Sequence, residues 1–155
     1  KIFALAKQFH RSHSVLTRAV AAGDPQLIIP SVAAAAFTME LYFKCLIFID
    51  QGKEAGWDHD YVKLFAQLTP ETQARVKEHF QTQVFPPFTE SLFDKILSES
   101  KDAFRNLRYI YQGYTANWTA SEIANAVLMT ILEKRPKWPP PQKLSKDSPP
   151  TSPPR

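Results

Sequence analysis

The chain has 155 residues, 44% of them hydrophobic, which is room for one globular domain with a core but not for several. Its single cysteine, Cys45, excludes an internal disulfide and lies in an apolar run, where a small inert hydrophobe in a reducing, cytoplasmic setting is the expected role. The net charge of +4 is local: residues 1–133 hold 13 Lys/Arg against 14 Asp/Glu, and residues 134–155 hold six basic residues and one acidic one. Bulk charge therefore gives no case for nucleic-acid binding by the folded body. The sequence opens on Lys1 without a charged-then-apolar leader, which reads as a segment of a longer protein.

Residues 2–22 read as a first helix, with Phe3, Phe9, Val15, Leu16, Ala19 and Val20 giving an approximate apolar stripe. Gly23 is a stop signal, and Asp24-Pro25 a restart with the acid as N-cap and proline at the first helical position. The next stretch, SVAAAAFTMELYFKCLIFID over 31–50, is apolar on nearly every side, with Thr38, Glu40 and Lys44 its plainly polar members. About 20 residues would just reach across a bilayer. Charges near the middle cost about 2.5 kcal/mol or more each there, so the expectation is a central helix of a helical domain and no transmembrane segment. Its start is either Pro25 with a kink at Pro30, or Ser31 as a fresh cap; Gly52 ends it.

A polar loop over 52–58 leads to His59-Asp60-Tyr61 and a short helix with apolar Val62, Leu64, Phe65 and Leu68. Thr69-Pro70-Glu71 starts another, running to Gln83 with Ala74, Val76 and Phe80 inward. Phe85-Pro86-Pro87-Phe88 breaks it. Thr89 or Ser91 caps a long helix to Gln112, closed by Gly113, with Phe93, Leu97, Phe104, Leu107 and Tyr111 at helical spacing. Thr119-Ala-Ser-Glu122 is a capping box for a last helix to Arg135. Eight of the 13 prolines then fall within 136–155, a basic proline-rich tail with too little apolar surface to fold by itself. The fold class is all-α, a bundle of five to six helices over 1–135 followed by that tail.

The recurring polar elements are Glu40-x-x-x-Lys44 in the apolar helix, His59-Asp60 before the short helix, and Arg105-Asn106 in the long one. With the stretches AAAAFTMELYFKCLI, HDYVKLFAQL and FRNLRYIYQG around them, the chain resembles the HEPN superfamily of helical bundles over residues 30–113. The resemblance implies a homodimer that binds RNA or a nucleotide, in toxin–antitoxin or antiviral defence systems. It also implies, for catalytic members, a metal-independent ribonuclease built on an arginine, a polar residue and a following histidine. Arg105 and Asn106 match the start of that motif, but positions 110–112 hold Ile110, Tyr111 and Gln112. An imidazole titrates near neutrality, whereas a tyrosine with a pKa of about 10 is a poor base at pH 7.

The candidate site is thus Arg105, Asn106 and Tyr111 for any catalysis, with Glu40, Lys44, Arg105 and Arg108 for nucleic-acid or nucleotide binding. Arg105 and Arg108 are three apart and suit forked hydrogen bonds to phosphate. Each has a plainer alternative: Glu40 and Lys44 as a helix pair, Glu40 as an orienting group for Arg105 or Arg108, and His59-Asp60 as a cap. His10 and His13 are three apart without a nearby acidic or cysteine ligand, so no metal site is expected; nor is a cofactor, there being no phosphate loop, dinucleotide fingerprint, nucleophile elbow or HExxH. His79 stands between charged residues and reads as exposed. The PTSP and PKWP spacings of the tail suit a polyproline helix, but a linker explains them as well. The leading expectation is a HEPN-like domain binding RNA, a nucleotide or a protein partner. The alternatives are a metal-independent endoribonuclease with an altered motif and a non-enzymatic assembly module.

Overall fold

The computed structural model describes residues 1–83, 90–101 and 120–135. Among them are six α-helices and no strand: α1 Ile2–Ala21, α2 Ile28–Gln51, α3 Tyr61–Ala66, α4 Pro70–Gln83, α5 Glu90–Ser100 and α6 Ala120–Lys134. The all-α bundle expected from the sequence is what forms. The tail over 136–155 and the Phe85–Phe88 breaker lie outside the described residues.

The architecture follows from the composition of α2. A 24-residue helix spans about 36 Å and has no polar face to turn outward, so its neighbours must cover it. α1 runs antiparallel along one side, as the contacts Phe3–Tyr42 at 6.3 Å and Phe9–Phe37 at 5.0 Å show. α6 lies along another side and α3 packs near the middle. α4 packs on α6, and α5 bridges α3 and α6. By length and composition α2 could cross a membrane, yet 61% of its most apolar window is buried inside the protein. Met39, Tyr42, Phe43, Cys45, Leu46 and Ile47 are each at most 1% exposed. Burial pushes the Cys45 thiol up to about 11, so it stays protonated and inert. A run of rings ties the layers together, from Phe43 to Phe65 at 6.3 Å, Phe65 to Phe93 at 5.1 Å and Phe93 to Phe80 at 5.2 Å.

The helix ends obey local chemistry. Asp24 accepts from the Gln26 amide at 3.2 Å and starts a single 3-10 turn, Pro25–Leu27, from which α2 continues at Ile28. Pro30 sits in the first turn of α2, where its missing N–H costs nothing. Ser31 therefore caps nothing; it is fully buried within the helix. Asp60 caps α3, accepting from the amides of Val62 at 2.9 Å and Lys63 at 3.3 Å. Three other expectations need correction. Val62 is 39% exposed and Ala74 is exposed, because each lies off the face that meets the core. The long helix expected through to Gln112 ends at Ser100, and Lys101 lies in a turn bonded to Ser98 O at 3.3 Å.

Gly52 adopts φ 69° and its amide bonds Phe48 O at 2.9 Å, the left-handed closure of α2. A Cβ there meets no atom within 4 Å, so the cost of Gly52→Ala is conformational alone. It should lower stability by about 1 kcal/mol, and Gly52→Asn by less, read from urea midpoints at unchanged slope.

Candidate functional site

Polar groups within the core face of an apolar helix are stable only when partnered, and α2 carries two such sets on opposite faces. On one face Glu40, 5% exposed, has Lys44 Nζ 2.9 Å from Oε1 and His59 Nδ1 3.0 Å from Oε2. The i,i+4 spacing supplies the lysine, and the loop before α3 delivers the imidazole. Tyr61, the first residue of α3, donates its hydroxyl to Ala36 O at 2.9 Å and so fixes that loop against α2. Burial first, and the Glu40 charge second, hold the Tyr61 hydroxyl well above the ordinary tyrosine range. Asp60 is the helix cap, whereas His59 serves the Glu40 cluster instead.

Of the predicted site, Glu40 and Lys44 are thus brought together, with His59 added. Arg105, Asn106, Arg108 and Tyr111 lie outside the described residues, as does the pairing of Glu40 with either arginine. His79 is not the exposed residue expected: its side chain is 12% exposed and Nε2 lies 3.1 Å from Glu133 Oε1. Arg75 donates to Glu133 through Nε at 2.7 Å and Nη2 at 2.6 Å, and to Glu78 at 2.5 Å. The forked Arg75 bond, with His79 behind it, holds the Glu133 carboxyl down to about 2. Arg75, Glu78 and Glu133, with Phe48, Ile49 and Lys134, line an open cleft of about 730 Å³ between α2, α4 and α6.

Beneath that cleft is the polar node the sequence did not reveal. Asp50, its side chain 3% exposed, accepts from the Thr69 amide at 2.7 Å, the Thr69 hydroxyl at 3.1 Å, the Thr72 hydroxyl, and Lys134 Nζ at 2.8 Å. One carboxylate thereby ties the end of α2 to the start of α4 and the end of α6. The signal in the sequence was an acid closing an apolar run and a Thr-Pro start, but partners 19, 22 and 84 positions away leave no local pattern.

Among the described residues no cluster of three His, Cys, Asp or Glu groups occurs, and His10 and His13 each have a different polar partner. His10 Nδ1 lies 2.8 Å from the Tyr42 hydroxyl, and His13 Nδ1 lies 3.1 Å from Ser31 O. Burial pushes Tyr42 up to about 12, so its hydroxyl keeps its proton. Compared with protein-family models, with curated proteins and with solved structures, the chain matches none.

Burial raises the Asp50 carboxyl, but Lys134, Thr69 and Thr72 outweigh it and bring the group from 3.8 to about 2. A depressed carboxylate contributes stability above its unfolded value, lost as pH falls through the folded one. The wild type should therefore lose about 2 kcal/mol more than Asp50→Asn between about pH 5 and about pH 2, in urea titrations at each pH. Parallel curves would remove Asp50 as the cause.

Proposed function

We propose that this is a HEPN-like domain whose work is binding, with RNA or a nucleotide as ligand and a second copy of the chain completing the site. The observation that supports this reading is the meeting of Glu40, Lys44 and His59 at one polar seam of an otherwise apolar bundle. Two of the three stretches that carry the resemblance converge there, although a loop separates them in sequence. A buried carboxylate between a lysine and a histidine is a fixed orienting group, able to set Lys44 and His59 toward phosphate oxygens. Arg105 and Arg108 would add forked donors, Asn106 a polar contact, and Tyr111 a ring on which a base can stack. A defence or toxin–antitoxin role follows from the same resemblance. Binding is preferred to turnover because Ile110, Tyr111 and Gln112 occupy the positions of the family's histidine.

One observation favours a second reading. The His59 side chain is 55% exposed and pairs with a carboxylate that is itself 7% exposed, an arrangement that elsewhere serves proton transfer. His59 would then replace the histidine missing from the motif, and the protein would be a metal-independent ribonuclease.

Labelled single-stranded RNA incubated without metal distinguishes the readings. We expect a complex that weakens log-linearly with salt, no cleavage, and loss of the complex in Arg105→Ala. Cleavage abolished by both Arg105→Ala and His59→Gln would establish the nuclease instead. Neither binding nor cleavage, or a monomer by light scattering at high concentration, would leave an assembly module docking a protein partner.

A further inference from the structure

On the opposite face of α2 from Glu40, a groove of about 360 Å³ runs between α1, α2 and the first turns of α6. Its polar lining comes from His10, His13, Thr17, Arg18, Ser121 and Asn125, together with Ser14 and Thr38. Among the described residues no carboxylate lines it. We propose that this groove is a binding site for a phosphomonoester, distinct from the Glu40 seam and independent of the RNA reading.

Four observations converge. Most of the accessible lining is apolar, and the polar groups set in it include the Arg18 guanidinium, two imidazoles and the Asn125 amide, which can offer hydrogens to an anion. Both imidazoles are held in place by their Nδ1 atoms, His10 against the Tyr42 hydroxyl at 2.8 Å and His13 against Ser31 O at 3.1 Å. The same His13 Nδ1 also lies 3.2 Å from Ser31 Oγ and 3.4 Å from Thr17 Oγ1, so three oxygens anchor this ring through one nitrogen. Ser31 is itself fixed by the Thr17 hydroxyl at 2.9 Å, so the ring geometry is set before any ligand arrives. Finally, α6 is a 15-residue helix whose first turn contributes Ser121, bringing a partial positive charge to the groove. A groove of a few hundred Å³ suits one compact ligand rather than a polymer.

The charged and titratable groups around the imidazoles are Arg18 from α1, Tyr42 from α2 and Glu122 from α6. Glu122 adjoins the groove without lining it and accepts from Ser121 Oγ at 3.0 Å. Burial, and then the neighbouring His13, hold His10 below its ordinary 6.5. A dianion between the two rings reverses the second effect, so binding takes up a proton and tightens as pH falls. The second negative charge of a monoester, which a diester lacks, is what this proton uptake favours.

The test is a titration of the full chain with inorganic phosphate and then adenosine monophosphate, following the imidazole nitrogen signals of His10 and His13 by NMR. Chloride holds the ionic strength constant. We expect saturable shifts, a rise in the His10 midpoint, and tighter binding at pH 6 than at pH 8. Arg18→Ala and His13→Gln should lose the response, while Arg105→Ala should keep it. Because Arg18 is exposed, its variant decides the matter even if His13→Gln fails to fold. Equal shifts with chloride alone, or variants that bind as the parent does, would overturn the proposal. Equal binding of a dinucleotide that has only an internal diester would do the same and assign the groove to an RNA backbone.

Discussion

The structure depends on one constraint: α2 has no face it can show to water. A helix that is apolar all round must be enclosed, and the other elements are arranged to enclose it. α1 and α6 flank it and α3 closes over its middle, while α4 and α5 form an outer layer reached through the Phe65, Phe93 and Phe80 rings. The favourable term is burial of large apolar side chains, each worth about 1.5–3 kcal/mol, and it acts throughout the length of one element. The bundle is built around a rod rather than a central layer.

That same enclosure raises the cost of any polar atom on α2, and it organises the chemistry. Glu40 and Lys44 fall four apart on one face, while Ser31, Thr38 and Tyr42 fall on the other. Each set must be met by a partner from a different element. His59 arrives from the α3 loop, and His10, His13 and Thr17 arrive from α1. Asp50 is the third case, at the end of the rod, where Thr69, Thr72 and Lys134 converge on one carboxylate. A buried, fully bonded carboxylate contributes to stability through geometry that removal of one partner would break. The three polar sets are thus consequences of one packing problem, and two of them leave cationic groups at the surface of the bundle.

The periodicity of the chain made most of this fold readable. The apolar run of α2, the Asp24-Pro25 and Thr69-Pro70 starts and the Gly52 stop are short-range signals, and each acts within one helical turn. Errors fell where local signals compete. Pro30 leaves two helix starts open, one before it and one at Ser31, and α2 takes the earlier because a proline in the first turn removes only an amide that had no partner. The run from 91 to 112 reads as one helix, whereas α5 closes at Ser100 and Lys101 lies in a turn. Val62 and Ala74 read as inward, but apolar character alone does not say which face of a short helix meets the core.

What the sequence determined by itself was the all-α class, the central apolar helix and the presence of an acid and a base on it, since these depend on spacing along one chain segment. What only the tertiary structure decided was what those charges face. Glu40 meets His59 across a loop, Asp50 meets Lys134 across 84 positions, and His10 meets Tyr42 across 32, separations that no local pattern encodes. Helix propensity acts over a few residues, whereas a buried charge is satisfied by whichever element the packing of α2 brings beside it.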